Sequence, residues 1–400
     1  MGNQSGQQIN GQQINGQQIN GQQGYGQQVS SQQGYGQPMN NQPMYGQQMY
    51  GQQMYGQPMQ GAYQTAPAGP DLANIRKQIS KVGLIFLGGS ILTDIFQWLL
   101  RYGAKMINPA WAKDPNIVLT LNVVALYLIG MSFIVLLSSK MKSKPPVKHF
   151  MKPWKFPLVF SMCYSLGIIS NIIGLVLVVI FTLLTRRQTE NAMANLTSSA
   201  NLVLLIVYVV IMAPVMEELV FRKVLVNKLY PYGQGVAIVL SGLMFGLFHG
   251  NMNQFIFAFP LGMCFAYVYV RTGKIHITIL LHMVTNAMGT FAVYGIARAI
   301  DMDEYMSVMM SGSSAQMNAF MAKYAGAFLA VFLFVLLVGV LVILGIVLWI
   351  VNLCKRRIFL DRASRVIPKG RAFGIMFGNL GMLLFCLYWI GVIIYTLLFG

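Results

Sequence analysis

Beyond Asp71 the chain holds nine apolar runs, near residues 82–100, 117–138, 157–185, 201–221, 235–250, 254–270, 275–299, 325–353 and 372–399. Most reach the roughly 20 residues that a helix needs to cross a hydrocarbon core about 30 Å thick. Lipid offers no partner for free backbone N–H and C=O groups, so such runs must satisfy their own hydrogen bonds as helices. The runs at 235–250 and 254–270 correspond to only about 24 Å each at 1.5 Å per residue, which predicts a hairpin whose turn stops short of the far interface. With 56% hydrophobic residues, 10% charged residues and a mean hydropathy of +0.57, the composition excludes a soluble multidomain protein.

Residues 1–70 are of another kind. They carry no charge and consist largely of Gln, Gly, Asn, Tyr and Met, with GQQIN repeated three times between Gly6 and Asn20. Such a segment has too little apolar surface to offset the entropy of ordering it, so it reads as a disordered tether. As a flexible coil it would span about 45 Å end to end. The interleaved Tyr and Met leave weak self-association as the alternative use. With the first apolar run starting near Val82, this end does not read as a signal peptide.

Net charge is +18, which in a soluble chain would point to nucleic acid. Here the Lys and Arg cluster between apolar runs, where the positive-inside rule accounts for them, so no nucleic-acid partner is expected. Alternate loops hold Lys140, Lys142, Lys144, Lys148, Lys152 and Lys155, then Arg222, Lys223 and Lys228, then Arg271 and Lys274, then the run from Lys355 to Arg371. The opposite loops are poorer in basic residues, and 301–323 is net negative through Asp301, Asp303 and Glu304 against Lys323. This pattern assigns the tail and the basic loops to the cytoplasm and the C-terminus to the opposite side. The four cysteines, Cys163, Cys264, Cys354 and Cys386, are too widely spaced for a disulfide framework or a cysteine zinc site and read as packing residues.

Ionisable groups inside apolar runs are costly and therefore candidates for function. Few qualify here. Asp94 stands alone on the first run, where a local hydrogen bond is the simpler reading. His149 and His276 lie beside lysines at an interface, and Arg298 lies near the end of a run. In APVMEELVFRKVL, Glu218 and Arg222 are four apart and share a helical face, whereas Glu217 points about 100° away with no basic partner at that spacing. One glutamate is neutralised and the other is left for proton transfer from water; the alternative on this segment alone is that all three residues merely snorkel or pair near the cytoplasmic end of the helix. Pro214 leaves a backbone carbonyl without its helical partner just before the pair. Phe245-Gly-Leu-Phe-His249 brings one histidine from a second span, and His282-Met-Val-Thr-Asn286 brings a histidine and an asparagine on one face of a third. A base, a water-orienting group and donors for a developing oxyanion are what amide hydrolysis requires.

The segments EELVFR, FGLFH and HMVTN resemble the EExxxR, FxxxH and HxxxN motifs of the CPBP intramembrane proteases, the Abi or CAAX-protease family that includes the Rce1-type prenyl endopeptidases. RTGKIHITILLH resembles the family's RTGS-type turn before the third motif. The resemblance covers about 100 residues, Asn201 to Ile300. It implies an endopeptidase in which Glu217 activates water with His249, His282 and Asn286 stabilise the oxyanion, and Glu218 and Arg222 hold the site together. Two His and a Glu can also ligate zinc, so the cofactor reading is none or zinc, with the metal-free version favoured because amides are poor zinc ligands and good oxyanion donors. Lys223 departs from the small residue that often follows the Arg. Taken at face value, the run boundaries also put His249 well outward of Glu217, so the fifth span must shift or tilt if the two are to share one water.

The expectation is therefore an all-α polytopic membrane protein of about nine transmembrane helices preceded by a disordered Gln/Gly/Asn/Tyr/Met-rich tail. Its parts are the tail 1–70, N-terminal membrane helices 71–200, a protease core 201–300 and C-terminal membrane helices 301–400. Membrane lipid and a peptide or protein substrate are the expected partners, and nothing in the sequence sets an oligomeric state. The rival classes are a catalytically silent binding or immunity protein, expected to lack a motif residue, and a transporter, expected to show an inverted repeat.

Overall fold

The computed structural model describes residues 70–186, 199–361 and 366–399, and every regular element among them is a helix. The tail expected to be disordered lies outside the described residues, apart from Pro70. Eight described helices are long and apolar enough to cross a membrane: α1 Leu72–Ile107, α2 Pro115–Ser139, α3 Lys155–Thr185, α4 Leu202–Tyr232, α6 Met252–Thr272, α7 Ile275–Gly295, α10 Ala325–Cys354 and α11 Leu380–Phe399. Between α4 and α6 sits the shorter α5, Gln234–Leu247. Two further short helices, α8 Met302–Ser311 and α9 Ser314–Lys323, form a hairpin between α7 and α10. The chain is an integral, multi-pass membrane protein.

The count differs from nine full spans because α5 has 14 residues, about 21 Å, too short to cross. It forms with α6 the hairpin expected from the run lengths, turning at residues 248–251. Small residues let the two helices approach: a Cβ on Gly246 would lie 2.8 Å from the Cβ of Phe259. Helix α6 in turn packs on α3 and α3 on α10, while α1 packs on α2 and α11.

Several helices outrun the apolar runs that announced them. The run 82–100 begins ten residues earlier in the structure, because Ile75, Ile79 and Val82 are buried on one face while Arg76, Lys77 and Lys81 lie on the other. The run 201–221 continues as α4 to Tyr232, so Arg222, Lys223 and Lys228 do not lie in a loop as the charge pattern suggested. Arg222 is fully buried, and Lys228 reaches the carbonyl of Met141 at 2.6 Å. The run 372–399 divides at Asn379, whose side chain donates to the carbonyls of Ile375 and Met376 and accepts from the N–H of Met382, closing one helix and opening the next.

Basic segments meet at one end of the bundle. Lys144 N–H donates to Asn227, His149 N–H donates to Thr272, the Arg271 guanidinium lies 4.5 Å from the Phe359 ring, and Asp361 N–H donates to Gln234. At the other end, Asn201 N–H donates to Asn116, and Thr396 donates to the carbonyl of Gly250 in the α5–α6 turn. Asp94 is bonded by the Tyr388 hydroxyl of α11, a local hydrogen bond of the kind its isolation suggested.

Candidate active site

Two antiparallel helices bring the first pair of site residues together. Gly233, with φ of 127°, adopts a backbone conformation that side chains disfavour and reverses α4 into α5. Glu217 precedes Tyr232 by 15 residues and His249 follows it by 17, so both sit about 22–26 Å from the turn along their strands of the hairpin. The depth mismatch read from the run boundaries disappears. The apolar run ended at 221, whereas α4 continues to Tyr232.

Glu217 and Glu218 have separate environments. Glu218 is fully buried, with Oε2 3.1 Å from Arg222 Nε and Oε1 3.0 Å from His282 Nδ1. The Arg222 guanidinium is also fully buried, 4.5 Å from the Phe245 ring centre and 5.7 Å from that of Phe265, and its Nη2 reaches the carbonyl of Gly262 at 3.4 Å. A buried cation is tolerable only with such an anion and such ring faces around it. Glu217 instead retains 14% side-chain exposure. Its Oε1 accepts from the Tyr127 hydroxyl at 3.1 Å, and its Oε2 lies 3.8 Å from His282 Nε2. The phase difference between positions 217 and 218 thus becomes a difference of environment: one carboxylate is locked in an ion pair and its neighbour borders accessible space.

The two histidines are oriented by their Nδ1 atoms. His249 Nδ1 lies 2.8 Å from the carbonyl of Phe245, and because a carbonyl only accepts, Nδ1 carries the proton and Nε2 of the neutral ring is a free base. His282, buried on α7, uses Nδ1 for Glu218 and presents Nε2 to Glu217. The Phe245 ring stands edge-to-face with both imidazoles, at 5.0 Å from His249 and 5.7 Å from His282, and so holds the two at one end of a shared wall.

Asn286, half-buried one turn beyond His282, donates through Nδ2 to the carbonyl of Val209 at 2.9 Å. The carbonyl's need for this partner is set by sequence. Residues Ile206–Met212 are π-helical, and Ala213 N–H bonds back five residues to Tyr208. In that register Val209 awaits the N–H of residue 214, which is a proline and has none. The Asn286 amide supplies the missing donor and still has a second N–H and its oxygen. Of the predicted residues, Glu217, Glu218, Arg222 and His282 are in direct contact, His249 joins them across Phe245, and Asn286 is tied to the helix turn preceding the glutamates. Tyr127 was not anticipated, and it comes from α2, far from the motif segments.

Among the described residues, no three His, Cys, Asp or Glu side chains gather into a metal-binding group.

Residues 199–288 match the family model described as type II CAAX prenyl endopeptidase Rce1-like. Over 108 residues the chain is 32% identical to "Putative membrane peptidase YdiL" of Bacillus subtilis (strain 168), a match covering 27% of this chain and 43% of that protein. Over 179 residues it is 28% identical to "Membrane-embedded CAAX protease MroQ" of Staphylococcus aureus (strain USA300), covering 40% of this chain and 68% of that protein. The chain thus spans less than half the length of the Bacillus relative. No solved structure matches it.

Proposed function

We propose, starting from this chain's membership of the CPBP family through residues 199–288, that it is an intramembrane endopeptidase whose core, 201–300, hydrolyses peptide bonds near the membrane interface. The observation that carries the reading is the pair of unlike neighbours: Glu218 buried in an ion pair with Arg222, and Glu217 open at one edge with Oε2 directed toward His282. Two adjacent glutamates serving structure alone would both be expected in pairs or at the surface.

In this reading a water bound between Glu217 and the free Nε2 of His249 gives up a proton as its oxygen attacks the scissile carbonyl. The carbonyl oxygen gains negative charge and accepts hydrogen bonds from the spare Nδ2–H of Asn286 and from the His282 ring. The proton held by Glu217 and His249 passes to the departing amine as the C–N bond breaks. Glu218 and Arg222 keep His282 in register throughout. Lipid is one partner and a peptide or protein the substrate. By the name of the Staphylococcus relative, the substrates to try first are peptides ending in a CAAX sequence. The basic end faces the cytoplasm in this proposal, as the positive-inside rule favours.

The test is to incubate the purified full-length protein in detergent with prenylated and unprenylated CAAX peptides and to read the products by mass spectrometry. Cleavage at a fixed bond supports the reading. Intact peptides, together with unaltered membrane proteins in cells with and without the chain, would contradict it.

A further inference from the structure

We infer that Tyr127, which lies outside the segment matched to the family, is a positioning residue for Glu217, so that the working catalytic unit includes α1 and α2. The inference rests on the peptidase reading above. Tyr127 is 5% exposed, and its hydroxyl donates to Glu217 Oε1 at 3.1 Å. A carboxylate on a helix can turn about its last two side-chain bonds, and a donor fixed on one oxygen sets where the other points. Here that other oxygen, Oε2, faces His282 Nε2. Without the phenol, neither oxygen of Glu217 has a bond from outside the motif segments among the interactions described.

The local structure of α2 is built to present this hydroxyl. Residues Val124–Met131 are π-helical, and Ser132 donates through its hydroxyl to the Tyr127 carbonyl at 3.2 Å. A π turn holds one more residue than an α turn and so moves every later side chain around the axis, and such segments recur at functional sites. Helix α1 braces the segment. Gly130 packs so closely on Gly89 and Thr93 that a Cβ there would run into the Thr93 hydroxyl, and Thr93 is itself bonded to the Gly89 carbonyl at 2.9 Å. A line of contacts therefore leads from α1 through Gly130 to Tyr127 and Glu217. Tyr127 does not touch the reacting atoms in this arrangement; it acts through Glu217.

The test is Tyr127→Phe in the full chain, which keeps the ring in its pocket and removes the hydroxyl. Turnover should fall about 10- to 100-fold, as expected for loss of a hydrogen bond to a charged group, while KM stays within about threefold. The difference infrared spectrum between wild type and Glu217→Gln isolates the Glu217 carboxylate band, and that band should shift in Tyr127→Phe. An unshifted band with wild-type kcat in a variant of unchanged thermal stability would overturn the positioning role while leaving the peptidase reading intact. A Glu217→Gln protein as active as wild type would instead overturn the peptidase reading, and the positioning role with it.

Discussion

Replacing Glu218 by Gln is expected to destabilise the fold before it affects chemistry. Arg222 has no exposed surface, and its remaining contacts are the Gly262 carbonyl at 3.4 Å and the faces of Phe245 and Phe265. Removing one member of a buried pair typically costs about 3–5 kcal/mol, because the other charge stays behind without compensation. Gln keeps an oxygen for His282 Nδ1 and for Arg222, so the low end, about 3 kcal/mol, applies. At about 2.1 cal/mol/K of unfolding entropy per residue, the roughly 330 residues after the tail give about 1.4 °C per kcal/mol, a fall in Tm of about 4 °C. Thermal unfolding of the detergent-purified variant measures it directly. The double variant Glu218→Gln/Arg222→Met should recover most of the loss, since removing both charges restores neutrality. A Glu218→Gln protein with Tm within about 1 °C of wild type but no activity would refute the reasoning and exchange the roles of the two glutamates.

Asn286→Ala should lower turnover by about 10² to 10³, the usual cost of one oxyanion donor, and should also reduce stability because the Val209 carbonyl loses its donor; kcat and Tm measured on the same preparation read both. Turnover within about threefold of wild type would remove Asn286 from the chemistry and leave it a structural cap. Deleting residues 1–70 should leave catalysis and membrane insertion unchanged, and loss of activity in detergent would show that the tail recruits substrate or sets an oligomer. Zinc should be substoichiometric in the active purified protein, and chelation should not abolish turnover; stoichiometric zinc lost together with activity in His282→Ala would overturn the metal-free preference. Glu304, bonded by Lys323 at 2.6 Å and Tyr324 at 2.7 Å, has its carboxyl held below the usual range, chiefly by the Lys323 hydrogen bond. Its contribution to the α8–α9 hairpin is therefore present above the ordinary carboxylate pKa of about 4.3 and lost as pH falls through the lower folded value. Hydrogen exchange over 302–323 should distinguish wild type from Glu304→Gln near pH 7 and not once the pH has fallen below the folded pKa, and a difference persisting in strong acid would contradict the sign.

The sequence carried the parts of this site that depend on helical phase. A spacing of four between Glu218 and Arg222 was enough to foresee their pairing, while Glu217, one residue earlier, takes its contacts from Tyr127 and His282 on other helices. The short run at 235–250 foretold the short α5 for the same reason, a length in residues being a length in ångströms, whereas the run at 254–270 understated α6, whose 21 residues are long enough to cross. Depth was not legible, because Arg222, Lys223 and Lys228 end the apolar run while the helix continues to Tyr232, with Arg222 satisfied by Glu218, Lys228 by the Met141 carbonyl and Lys223 left exposed. Hydropathy cannot register a charge whose partner arrives from another part of the fold. Tyr127 was invisible for a related reason: it is one of 19 tyrosines, stands in an ordinary apolar run, and gains its meaning from a contact 90 residues away. The bond between Asn286 and Val209 was half legible, since Pro214 announced an orphaned carbonyl but nothing in the sequence named its donor.

The central claim is that Glu217 takes the proton from the attacking water. It is tested most directly by the single-turnover rate of Glu217→Gln against wild type on a cleavable peptide, with Tm measured alongside. Gln fills nearly the same volume and can still accept the Tyr127 hydroxyl through its amide oxygen, so the account predicts a protein of wild-type Tm with no detectable hydrolysis. Hydrolysis at the wild-type rate by the folded variant would contradict it.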